Sequence, residues 1–198
     1  RYAFNSNPIA PSAIQAPINP AVPSAATEAE IEQQIEDFVS MSVRAQKAGY
    51  DGVEIMGSEG YFLNQFLAER TNKRDDDWGG SYENRMRLPV DVVRRVREAV
   101  GEHFIIIYRL SMLDLVEGGS SHEEIVTLGK AIETAGATII NTGTPSAYFS
   151  LVKAEKCRGS SISKIPNKDK PISPKNTKML LVQMKKALPA RDVLKVWR

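Results

Sequence analysis

Cysteine is almost missing from this 198-residue chain: Cys157 stands alone. No internal disulfide is possible, which excludes the small secreted scaffolds that depend on one. Histidine is nearly as scarce, with only His103 and His122, and so few soft ligands argue against a structural zinc site. No uninterrupted apolar run approaches the roughly 18–20 residues that a bilayer-spanning helix needs, which excludes a transmembrane protein. The chain opens at Arg1 without the charged and apolar regions of a secretory signal. These absences lead us to expect a reducing, intracellular location: the cytoplasm, or an organelle if a targeting segment is missing.

What is present is a globular composition, 42% hydrophobic and 25% charged. Its net charge of +2 hides a division. Residues 1–150 hold 13 Lys and Arg against 21 Asp and Glu, whereas residues 151–198 hold 13 against 3. The acidic body and the basic tail read as segments of different character. A tail of net charge +10 would attract nucleic acid or anionic lipid. Without any RNA- or DNA-binding motif beside the lysines, the plainer reading is a solvated segment, and neither nucleic acid nor membrane is expected as a partner.

Pro8, Pro11, Pro17, Pro20 and Pro23 oppose a continuous helix, so the first 26 residues read as a long loop. Thr27 and Glu30 then form a capping box, and Ile31, Ile35, Phe38, Val43 and Ala45 make an apolar stripe that ends at Gly49. The stretch 51–56, DGVEIM, follows as a buried strand. Ser81 caps a second helix with Met86, Val90, Val93, Val96 and Val100 on its apolar face, and Gly101 closes it before the strand 104–108. Pro89 should kink that helix. Ser121 and Glu124 open a third helix over Ile125, Leu128, Ile132 and Ala135, and ATIIN (137–141) is the third strand. This alternation predicts an α/β fold with a parallel sheet, either a closed (β/α) barrel or a doubly wound sheet. Periodicity does not choose between them.

Both architectures collect ligands beyond the C-terminal ends of their strands, so the residues there are the ones to read for chemistry. After the first strand lies 57–87, longer than a plain connection needs. It contains Glu59 and Tyr61, a carboxylate and a phenol that can serve as a general acid, although a tyrosine in a turn is more often packing. Arg109 follows the second strand and Asn141-Thr-Gly143 the third. A guanidinium at such a place needs an acceptor. Its alternatives are a structural ion pair with a rim carboxylate, or contact with an electron-poor cofactor or a phosphate.

The runs GVEI, GYFLNQFL and RTNKRDDDWGGSYENRMR within residues 48–101 resemble the old yellow enzyme family of flavin mononucleotide (FMN) oxidoreductases. MGSEGY, YRLSMLDLVEGG and TIINTG are most similar to its bacterial-type 2,4-dienoyl-CoA reductases. The resemblance covers about residues 1–143. It implies an incomplete (β/α)8 barrel, about strands 4–6 with their helices. The segment 144–198 would then be a non-matching basic tail, partly disordered, with a short helix that starts at Ser173 and Pro174 and carries the apolar residues Met179, Leu180, Leu181, Val182, Met184 and Leu188.

The activity implied is FMN-dependent, NAD(P)H-driven reduction of a C=C bond in an acyl-CoA-type small molecule, as in fatty acid β-oxidation. Tyr61 would supply the proton, Glu59 would assist it, Arg109 would sit at the flavin's pyrimidine edge and Arg70 would touch substrate. Positive charge at that edge stabilises the reduced cofactor, which favours flavin contact for Arg109. Many family members carry His, or His and Asn, at the positions of Met56 and Glu59, and a further histidine after INTG has no counterpart here. The iron–sulfur cysteines and FAD domain of the longer family members are not encoded. The alternative reading is an inactive truncated barrel that binds partners through its basic tail.

Overall fold

The computed structural model describes residues 8–16, 21–112, 114, 116–142 and the backbone of 179–182. Among the described residues ten elements follow one another: β1 (Ile9–Ala10), β2 (Ser24–Ala25), α1 (Glu28–Lys47), β3 (Gly52–Gly57), α2 (Phe62–Leu67), α3 (Tyr82–Val100), β4 (Ile105–Leu110), α4 (His122–Thr134), β5 (Ile139–Thr142) and β6 (Met179–Val182).

The helices begin where their caps dictate. Thr27 and Glu30 form a reciprocal capping box on α1, Ser121 and Glu124 do the same on α4, and the Ser81 side chain accepts from the Asn84 N–H on α3. α3 runs through Pro89 as one helix, with the proline ring buried. Two expectations for the loops fail. The N-terminal segment contains a short parallel pairing of β1 with β2. The connection after β3 holds α2, whose Leu63, Phe66 and Leu67 enter the core.

The main sheet is parallel, in the order β5-β4-β3-β6. Its register decides which face each residue serves, because side chains alternate across a strand. Val53 and Ile55 pair with Ile106 and Tyr108, and all four are fully buried against α1, α3 and α4. Glu54 pairs with Ile107, Met56 with Arg109, and Arg109 with Asn141, so these residues share the opposite face. α1 packs on α3, and α2 and α4 also pack on α3, which puts every described helix on one side of the sheet. β3, β4 and β5 lie side by side in chain order, with β6 added at the free edge of β3. One-sided covering accords with a barrel wall, whereas a doubly wound sheet carries helices on both faces.

β6 corrects the expected tail helix over Met179–Val182. A short apolar run does not distinguish strand from helix by its periodicity. Here it meets the free backbone groups of β3, pairing Gly52 with Met179 and Ile55 with Val182. The remainder of the expected basic tail lies outside the described residues, as does Cys157. No helix among the described residues is long and apolar enough to cross a membrane.

At the N-terminal ends of the strands, Arg97 acts as a clamp. Its guanidinium donates to Gly136 O at 3.0 Å, Phe104 O at 2.8 Å and Thr138 Oγ1 at 3.0 Å, tying the end of α3 to the entries of β4 and β5. Burial holds this guanidinium below its ordinary pKa.

Candidate functional site

β3 and β4 end at one rim. Beyond Gly57 the chain turns through Ser58, Glu59 and Gly60 into Tyr61, the N-cap residue of α2. Glu59 and Gly60 adopt φ of 63° and 74°. For a residue with a side chain that left-handed conformation costs about 1–2 kcal/mol. The turn is held by Asn64 Oδ1, which accepts from the Gly60 N–H at 2.8 Å, and by Gln65 Nε2, which donates to Gly60 O at 2.8 Å. Gly57 lies against the buried Tyr108 ring, where an added methyl would sit 2.1 Å from the phenol oxygen.

Arg109 projects from the last turn of the β4 pleat. Its Nε donates to Glu54 Oε1 at 2.9 Å and its Nη2 to Glu54 Oε2 at 3.4 Å, forming a two-pronged pair across adjacent strands. Its Nη1 reaches Glu59 Oε1 at 3.4 Å. Asn141 Nδ2 of β5 donates to the same Glu54 Oε1 at 2.7 Å. The rim ion pair weighed for Arg109 is therefore made, and Glu54 is its main carboxylate. A guanidinium has five N–H donors. With these partners, each terminal nitrogen keeps one N–H not used by a described residue, suited to a carbonyl or ring-nitrogen acceptor. Beside it, Met56, Ile107 and Ile139 give the same face an apolar character, so the donor set and its surroundings fit the polar edge of a planar heteroaromatic group.

The sequence-selected residues separate into three positions. Glu59 is joined to Arg109, and no hydrogen bond links it to Tyr61 among the described residues. Tyr61 is 39% exposed on the turn that Glu59 ties to Arg109. Arg70 is exposed after α2, with its backbone against the Gly118 turn, and no described contact brings it to the other three.

Glu54 was not selected from the sequence. The signal was available: a carboxylate in the middle of a buried strand must find a partner, and the partner lies one pleat up on the neighbouring strand.

Most of the long 68–87 stretch serves the fold. Asn72 Nδ2 donates to Phe66 O and Trp78 O at 2.7 and 2.8 Å. Arg74 pairs with Asp76 and reaches Pro11 O and Ala26 O at 3.1 and 2.6 Å, which fastens the N-terminal segment. The hydrogen bonds from Arg74 hold the Asp76 carboxyl below the ordinary carboxylate range. Arg85, 3% exposed, donates to the carbonyls of Leu67 and Gly80 and pairs with Glu69 and Glu124 at 3.2 and 3.1 Å.

The family model described as the NADH:flavin oxidoreductase / NADH oxidase family matches residues 2–188. The chain belongs to this family. The chain is similar to the NADH oxidase of Thermoanaerobacter brockii, 42% identical over 134 residues, which make up 68% of this chain and 21% of that protein. A solved 2-naphthoyl-CoA reductase, complexed with 2-naphthoyl-CoA, superposes with TM-score 0.64 at 32% identity, covering 73% of this chain and 24% of its own. The old yellow enzyme homologue of Zymomonas mobilis superposes with TM-score 0.61 at 26% identity over 91% of this chain and 52% of its own. The chain thus spans about a fifth to a half of the proteins it matches.

The family match runs on to residue 188, past the last of the distinctive runs near residue 143, while the similarity to the Thermoanaerobacter brockii protein takes in 134 residues.

Proposed function

We propose that the chain forms the part of an FMN-dependent, NAD(P)H-driven oxidoreductase that holds the flavin's polar edge and delivers a proton to substrate. The observation that carries this reading is the 3.4 Å contact between Glu59 and Arg109, which binds the Tyr61 turn to the guanidinium at one strand end. Membership of the NADH:flavin oxidoreductase family supports the cofactor and the reductant.

When bound, FMN supplies hydride, received from NAD(P)H, to the electron-poor carbon of a C=C bond conjugated with a thioester. Arg109 orients the ring edge with its two remaining N–H donors. Its positive charge opposes the charge that accumulates there on reduction. Tyr61 gives its phenolic proton to the carbon next to the one that took hydride and recovers a proton from solvent, to which it is open. Glu59 steadies the turn through Arg109. Arg70 meets the phosphate-bearing part of an acyl-CoA substrate, which accords with its exposed position outside the carboxylate cluster. The thioester class accords with the 2-naphthoyl-CoA bound by the solved relative, and a dienoyl-CoA is the substrate we favour.

The test is to titrate the 198-residue chain with FMN and measure 2,4-dienoyl-CoA reduction by NADPH. Tyr61→Phe should keep flavin absorbance and lower turnover about 10²–10⁴-fold, the usual worth of a positioned general acid. A chain that takes up no flavin, or a Tyr61→Phe variant as fast as the parent, overturns the reading.

A further inference from the structure

Glu54 is the unexplained charge of the candidate site. It stands in the middle of β3, its side chain only 14% exposed, on the sheet face without helices. A carboxylate so placed would be expensive to bury unless paired. Its pairing is unusually complete: Oε1 takes Arg109 Nε at 2.9 Å and Asn141 Nδ2 at 2.7 Å, while Oε2 takes Arg109 Nη2 at 3.4 Å. One side chain therefore links β3, β4 and β5 immediately below the rim.

We infer that Glu54 is the positioning residue for Arg109, fixing the guanidinium plane at the strand end and setting how much positive charge it shows to a bound cofactor. This rests on the proposed role of Arg109 and deepens it.

Two physical consequences separate positioning from mere support of the sheet. The first is geometric. Arg109 carries a long, flexible side chain whose own strand fixes only its base, and the paired contacts on Nε and Nη2 hold the plane. The outer terminal nitrogen is left directed at Glu59 and the rim. The second is electrostatic. One arginine stands between two carboxylates, Glu54 and Glu59, so the cluster carries one negative charge in excess. Neutralising Glu54 without removing its oxygen acceptor releases the full charge of Arg109 toward the cofactor, which should favour reduced over oxidised FMN. Removing Arg109 should act in the opposite direction.

The experiment uses the full chain and two readouts. Nitrogen-15 spectra of the arginine side chains, with Arg109 assigned through Arg109→Lys, report exchange of its Nε–H with solvent and need no flavin. Glu54→Gln should accelerate that exchange at least tenfold, Glu54→Asp should restore part of the protection, and Asn141→Ala should weaken it less. In FMN-loaded protein, Glu54→Gln should favour reduced flavin by about tenfold, or about 30 mV for a two-electron couple, while Arg109→Lys keeps the parent's value or falls below it.

Unchanged Nε–H exchange in Glu54→Gln overturns the positioning role whatever the flavin does. If exchange responds but FMN does not bind, or binds with an unaltered potential in both Arg109→Lys and Glu54→Gln, positioning stands and the flavin assignment of Arg109 falls.

Discussion

Replacing Arg85 with methionine should unfold this protein more readily than any change at the rim. The side chain is 4% exposed and carries four described hydrogen bonds: to Gly80 O at 3.2 Å, to Leu67 O, to Glu69 at 3.2 Å and to Glu124 at 3.1 Å. Its guanidinium also lies 5.0 Å from the Tyr82 ring centre. Of these partners, Glu69 is 61% exposed and contributes at most about 1 kcal/mol. The two carbonyls and Glu124 matter more, because each loses a charged donor in partly buried surroundings, at about 1–3 kcal/mol apiece. Non-additivity keeps the total near the ~3–5 kcal/mol typical of breaking one half of a buried pair. In a chain of this length that lowers Tm by about 6–20 °C. Arg85→Lys should lose most of it too, since one ammonium cannot serve acceptors arranged for a planar fork. Urea denaturation followed by circular dichroism measures the loss, with Glu69→Gln as the mild control. A methionine variant within about 1 kcal/mol of the parent would refute the claim that this motif arginine locks α2, α3 and α4 together.

Two further tests concern buried groups. The Tyr108 hydroxyl is wholly buried with no hydrogen-bond partner among the described residues, and burial raises its pKa well above the ordinary phenol value. Tyr108→Phe removes a desolvated group and keeps the packing, so it should leave stability unchanged or raise it by about 1 kcal/mol, and a clear fall in the urea midpoint would show that the hydroxyl has a partner. Asp76 has its pKa depressed by Arg74, so the stability it adds is present above the ordinary value of 3.8 and is lost as pH falls through its lower, folded value. Asp76→Asn should therefore flatten the acid limb of a stability-against-pH curve, which thermal melts between pH 2 and 6 would reveal.

The chain's local signals were strong where one residue type has one physical use. Thr27 with Glu30, and Ser121 with Glu124, fix helix starts because their side chains satisfy named backbone donors. Strand positions were legible to within one or two residues from the apolar runs around Val53, Ile106 and Ile140. α2 was not, because Tyr61 offers no side-chain cap and six residues show too little of a period. β6 was hidden for a related reason: its strand state depends on the edge of β3, a partner far away in sequence. At the site, Tyr61 and Glu59 could be picked out by position after a strand and Arg109 as the charge that closes an apolar run, although β4 extends one residue past it. Glu54 was not legible, because its partner Arg109 lies on another strand, 55 residues further along the chain. Which face the helices cover was not legible either, because it is set by packing between helices far apart in sequence, α1 on α3 and α3 on α4.

β6 also governs the order in which the sheet can be completed. Gly52 emerges during translation long before its neighbour Met179, and at about 5–20 residues per second the delay is on the order of ten seconds. Throughout it, β3 offers unsatisfied amides and carbonyls to any extended peptide nearby. Yield in a cell should consequently depend on synthesis speed and on chaperones that occupy nascent strands, even for variants whose finished fold is unaltered.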